Sequence, residues 1–141
     1  MLILIRRIYN VLVGSENIRC GTLPTSADTV ACAAITLTAA AAWTWGAWVQ
    51  VALGAVLTAE TQIVGFTLEN MVGAPSQGEV QIGYGVAPLG TELGRFQTVY
   101  ANFVLPKPIR VLAATGIVAR YRTSTGAADT VDIKLNTITG F

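Results

Sequence analysis

Ile117-Val-Ala-Arg-Tyr-Arg-Thr-Ser-Thr-Gly-Ala-Ala-Asp-Thr-Val-Asp-Ile-Lys-Leu-Asn136 is the stretch on which the architecture turns. Ile117, Ala119 and Tyr121 alternate with Val118, Arg120 and Arg122, and after a turn over residues 124–129, Val131, Ile133 and Leu135 alternate with Asp132, Lys134 and Asn136. A period of two places alternate side chains on opposite faces of a strand, whereas a helix would repeat at every third or fourth residue. The pattern predicts two strands joined as a half-buried hairpin, with Val131, Ile133 and Leu135 toward the core and Asp132 and Lys134 toward solvent or a neighbouring subunit.

The rest of the chain agrees with strands. Val, Ile and Thr make up 43 of the 141 residues, and branched side chains fit a pleated sheet better than a helix. Fourteen glycines and five prolines cut the sequence into short pieces. We place strands at about 30–38, 43–53, 61–70, 79–86, 95–105, 108–113, 116–124 and 130–138; composition alone allows a sandwich or a barrel, and eight strands suggest two packed sheets, an all-β, antiparallel eight-stranded β-sandwich over residues 29–141. Residues 1–28 read as an N-terminal extended arm and loop before it. Pro106 and Pro108, which donate no backbone hydrogen bond, are expected at a corner where the chain changes sheet.

Two apolar stretches invite a membrane reading. Residues 1–7 put a short apolar run before Arg6 and Arg7, the reverse of a secretory leader. Residues 29–59 carry no charge and are long enough to span a bilayer, yet Trp43, Trp45, Val49, Val51 and Leu53 keep the odd-position rhythm of a strand. No membrane partner is expected.

Chemistry is sparse. With no histidine, the commonest general base and metal ligand is missing, and a net charge of +1 gives no electrostatic case for nucleic acid. Cys20 and Cys32 read as two small buried thiols, a disulfide being the alternative. The glycines of residues 83–90 lack the spacing of a phosphate loop. Glu60, Glu69, Glu79 and Glu92 offer carboxylates for a glycosidase, but any β-sandwich carries as many. Asp129 and Asp132 stand outside any calcium-loop pattern. Arg120 and Arg122, with Lys107 and Arg110 upstream, form a modest basic stripe better suited to cross-strand ion pairs. Trp43, Trp45 and Trp48 read as a core anchor or subunit interface rather than a sugar platform, with Trp48 out of parity unless Gly46 introduces a bulge. No catalytic residue, cofactor or metal is expected.

Four segments carry a resemblance. Trp43-Thr-Trp45-Gly-Ala-Trp48-Val, Phe103-Val-Leu-Pro106-Lys-Pro108-Ile-Arg110-Val, Thr115-Gly-Ile117-Val-Ala119-Arg120-Tyr-Arg122 and Gly126-Ala-Ala-Asp129-Thr130 together make residues 30–138 resemble the small jelly-roll structural proteins of tailed bacteriophages. The resemblance implies a capsid decoration, cement or spike-base protein: a non-enzymatic virion component, assembled in the host cytoplasm, acting as a homo-oligomer, often a trimer, and docking on the major capsid protein or another virion protein. At 52% hydrophobic and 12% charged, the composition leaves little charge to keep a free monomer soluble, which fits a surface covered by partners. Leu2, Ile3, Leu4, Ile5 and Ile8 are the candidate interface residues, since an isolated domain would expose them. The alternative is a carbohydrate- or receptor-binding head domain of a phage tail or spike, reading its ligand through loops 73–78 and 85–94.

Overall fold

A computed structural model describes residues 19–24, 34–73, 77–98, 101–126 and 128–140. Among them are nine strands: β1 (Arg19–Leu23), β2 (Ile35–Thr38), β3 (Val49–Ala52), β4 (Thr61–Val72), β5 (Gly78–Tyr84), β6 (Thr91–Gln97), β7 (Asn102–Val111), β8 (Ile117–Thr123) and β9 (Thr130–Thr139). They form two antiparallel sheets packed as a sandwich. One runs β1-β9-β4-β7, with β2 also on β9, and the other runs β3-β8-β5-β6. The pairings β5·β6, β4·β7, β3·β8 and β2·β9 are nested around the β5–β6 hairpin. A ribbon folded at its middle and rolled so that its pairs alternate between two sheets is a jelly roll, and β2 to β9 are its eight strands. β1 is an addition: it pairs with one half of β9 (Arg19↔Thr139 to Leu23↔Leu135) while β2 pairs with the other (Ile35↔Ile133 to Thr38↔Thr130).

The core lies between the sheets. Leu37, Ile63, Val80, Ile82, Ile117 and Tyr121 are fully buried in it together with Val131, Ile133 and Leu135. Phe66 and Phe103 on the first sheet stack at 5.1 Å between ring centroids, and Phe96 on the second tilts against both at 5.6 Å. The trio closes the side of the sandwich where β6 hands over to β7.

The alternation read from residues 117–136 holds, but the hairpin does not. β8 lies between β3 and β5 in one sheet, whereas β9 lies between β4 and the β1/β2 edge in the other. Residues 124–129 therefore carry the chain across the sandwich. Period two reports which face of a strand is buried and is silent about its neighbours. The two prolines also stand elsewhere than expected. β7 stays in one sheet throughout, as its edge strand. Its register against β4 jumps from Ile109↔Ile63 to Val104↔Gly65, so Pro106 and Pro108 fall in an unpaired bulge that needs no ladder bond from them. The strand expected over 95–105 is two strands, β6 and β7, and residues 43–48 lack regular pairing. Residues 19–23, read as loop, form β1. Among the described residues no helix is long and apolar enough to cross a membrane.

The crossing at 124–129 is held by a carboxylate. Asp129 is almost fully buried and accepts from the Thr123 hydroxyl at 2.6 Å and from the Thr125 hydroxyl. Thr123 Oγ1 accepts the Gly126 N–H at 2.8 Å, and the Asp129 carbonyl accepts the Ala39 N–H at 2.9 Å. Gly126 has φ +90°, and a Cβ there would lie 2.2 Å from Ala42 N. Glycine is required on both counts. The Thr123 hydroxyl, seconded by that of Thr125, holds the Asp129 carboxyl below its ordinary range. A carboxyl whose pKa is depressed by folding contributes stability that is present above its unfolded value, near 3.9, and is lost as pH falls through the folded one. Acid denaturation should therefore set in below about pH 4, and Asp129→Asn should flatten the dependence of stability on pH in that window. Chemical denaturation from pH 2 to 6 checks this, with Glu60→Gln measured alongside because Arg110 depresses the half-buried Glu60 in the same direction. An unchanged slope in Asp129→Asn would show that other carboxyls carry the transition.

Candidate docking surface

Two surface features separate this molecule from a bare jelly roll. The first is the segment between β2 and β3, which follows the edge of β8. The Trp43 N–H bonds Thr123 O at 2.7 Å and the Gly46 N–H bonds Tyr121 O at 2.9 Å. A Cβ at Gly46 would lie 1.8 Å from Thr38 O, so only glycine passes there. This break brings Trp48 onto the same face as Trp43 and Trp45, against the simple parity of the sequence.

That face is the outside of the second sheet. Arg122 lies 5.5 Å from the Trp43 ring and 4.5 Å from Trp45, and Arg120 lies 5.1 Å from Trp45 and 4.3 Å from Trp48. Arg95 adds a further contact on Trp45 at 5.5 Å. Indoles and guanidiniums thus alternate in a stack held by cation–π attraction. Carboxylate and amide fix the guanidiniums from β5: Arg122 Nε donates to Glu79 at 2.7 Å and Arg120 Nε to Gln81 Oε1 at 2.5 Å. Desolvation lowers the Arg120 pKa from its ordinary value, though not enough to discharge a guanidinium. Trp48 rests on Val118, Gly83 and Gly90, where a Cβ on either glycine would come within 2.9 Å of an indole carbon. The glycines that superficially suggest a phosphate loop are the floor for this ring. The cluster is neither a core anchor between the sheets nor an open sugar platform; it clads the outer face of the second sheet.

The second feature is one end of the sandwich, where loops 53–57, 84–90 and 112–116 are bonded together. The Ala114 N–H reaches Leu57 O at 2.8 Å and the Gly85 N–H reaches Gly116 O at 2.9 Å. Gln50 ties them further: its Nε2 donates to Ala52 O at 2.7 Å and Ile117 O at 3.0 Å, while its Oε1 accepts the Ala87 N–H at 3.0 Å. The loops contain no charged residue. They hold large apolar side chains in the open: Tyr84 is 44% exposed, Leu112 61%, Val86 69% and Leu89 76%. Beside them a cleft of about 220 Å³ is lined by Tyr84, Leu93, Arg110, Val111, Leu112 and Thr115. At its rim Arg110 and Glu60 form a two-pronged ion pair that raises the pKa of the first and lowers that of the second.

The sequence-predicted interface residues Leu2, Ile3, Leu4, Ile5 and Ile8 lie outside the described residues, as does Cys32; of Cys20 only the backbone in β1 is described. The four candidate glutamates each face a cation: Glu60 on Arg110, Glu69 on Lys134 at 3.6 Å, Glu79 on Arg122 and Glu92 on Arg95 at 3.4 Å. Asp132 accepts from Thr36 and Asn70. Among the described residues no group of three or more acidic, cysteine or histidine side chains is placed to hold a metal. Sequence reasoning missed the apolar end, although Val86 and Leu89 inside a Gly/Pro turn were its visible signal. No protein-family model matches this sequence, and no curated protein aligns with it significantly.

Proposed function

We propose that this protein is a non-enzymatic structural component of a tailed-bacteriophage virion, which self-associates and docks on the capsid or a neighbouring virion protein in a decoration, cement or spike-base role. The observation that carries the reading is the uncharged apolar end: a protein with so little charge elsewhere does not keep four large apolar side chains in water at one place without a contact to cover them. The jelly roll and the family resemblance support it, although a fold by itself assigns no function. The receptor- or glycan-binding alternative draws on Trp43, the exposed end of the stack, but guanidiniums already occupy Trp45 and Trp48.

Native mass measurement of the purified protein, alone and mixed with virion proteins, tests the proposal. A homo-oligomer, a trimer by the resemblance, and a complex with a capsid-associated protein are expected. Deleting residues 2–9 should weaken oligomerisation or capsid docking while the circular dichroism of the sandwich is unchanged. Burying even about 300 Å² of that apolar segment would be worth roughly 7 kcal/mol before ordering costs. Normal assembly of the truncated chain would remove the segment as an anchor. A monomer that ignores virion proteins but selects a sugar on a glycan array would overturn the structural role.

A further inference from the structure

We infer that the apolar end of the sandwich is covered by the same end of a second copy of this chain, the copies meeting end to end around a shared symmetry axis. The inference rests on the assembly reading above and specifies which surface performs the self-association.

The argument begins with area. The exposed parts of Tyr84, Val86, Leu89 and Leu112 amount to roughly 500 Å² of apolar surface, at the upper end of what a monomer shows. Two such ends bury roughly 1,000 Å² together, which reaches the threshold for a specific interface before the rim is added. Charge selects the partner. The three loops contain no Asp, Glu, Lys or Arg, so a charged partner would be desolvated against them without compensation. An identical end brings the same uncharged surface. The rim adds complementarity of its own, because Arg110 (67% exposed) and Glu60 (30%) sit side by side with opposite signs. Each copy already pairs these two charges within itself, so a contact between identical ends brings together rims whose charge is locally balanced. The end is also stiff: Gln50 and the bonds between the loops fix its shape before contact, which lowers the ordering cost of association.

One competing occupant comes from the chain itself. Arg19 pairs with Thr139, Thr139 with Thr61 and Thr61 with Val111, so the chain enters β1 on the rung of Val111, at this same end. Residues 2–8 precede this entry point in the sequence and are the alternative occupant that the test must separate from a second copy.

The test measures oligomeric state by native mass spectrometry and sedimentation for the full chain, for Leu89→Asp with Leu112→Asp, for Val104→Asp and for the chain lacking residues 2–9. Leu89 and Leu112 are largely exposed, so the double variant should keep the thermal unfolding of the parent. Val104, 84% exposed on β7 away from the end, controls for added charge. The expected result is an oligomer that the double variant weakens by about a hundredfold or more, since it leaves unpaired carboxylates in a buried contact, and that Val104→Asp leaves intact. A double variant that assembles like the parent overturns the inference while the assembly reading stands. Dissociation by the deletion alone does the same and gives the contact to residues 2–9. A parent chain that is monomeric at every concentration, alone and with virion proteins, overturns both.

Discussion

Phe66→Ala is expected to lower the stability of the sandwich by about 3–5 kcal/mol, a large share of the roughly 5–15 kcal/mol that a domain has in total. Phe66 is fully buried, it stacks on Phe103 and meets Phe96 across the sandwich, and it stands on β4 opposite Leu135 of β9. Truncation removes the ring's transfer free energy and leaves a cavity whose walls belong to three strands in two sheets, so they cannot all collapse into it. The loss of two aromatic contacts adds to this. Urea unfolding should show a lower midpoint with an unchanged slope. Val104→Ala, on the neighbouring edge strand β7 but exposed, should stay within about 0.5 kcal/mol of the parent. Similar losses at the two sites would mean that β7 faces the other way.

Trp48→Ala should cost about as much, about 3–5 kcal/mol, even though Trp48 lies outside the space between the sheets. Its indole is only 9% exposed, it fills the depression over Gly83, Gly90 and Val118, and its face holds Arg120. Removing it opens the half-buried Gln81–Arg120 pair to water and loosens loop 84–90. Trp43→Ala, at the exposed end of the stack, should cost about 1 kcal/mol or less. A graded loss from Trp43 to Trp48 is the signature of a cladding layer. Equal losses would indicate a continuous second core, and a negligible loss at Trp48 would contradict the packing described.

What the sequence made legible follows from what its patterns measure. The alternation of Val131, Ile133 and Leu135 with Asp132, Lys134 and Asn136 gave the buried face of β9 correctly, because burial of alternate residues is a local property. The partners of β9 are set by loops that cross between sheets, and no local pattern distinguishes the 124–129 crossing from a hairpin turn. The tryptophans show the same limit. Parity separated Trp48 from Trp43 and Trp45, but residues 43–48 do not form a regular strand, with Gly46 pressed where a Cβ would strike Thr38 O, and the count of two does not carry through. The apolar end went unread because its residues are distributed over three loops far apart in the chain and meet only once the roll is formed.

The nesting of the pairs bears on the order in which the molecule can be made. β9, the last of the nine strands to leave the ribosome, is an inner strand of its sheet, flanked by β4 on one side and by β1 and β2 on the other. Contacts between chain ends are the slowest to form, because loop closure must precede any gain from pairing. A nascent chain stalled before residue 130 would hold every strand of the β3-β8-β5-β6 sheet, while β1 and β2 would have no neighbour to bond and β4 would have only β7. Half of the sandwich must therefore wait, with its apolar faces open, for the final strand to arrive. Open apolar faces and unpaired strand edges of this kind are the surfaces through which incomplete chains aggregate.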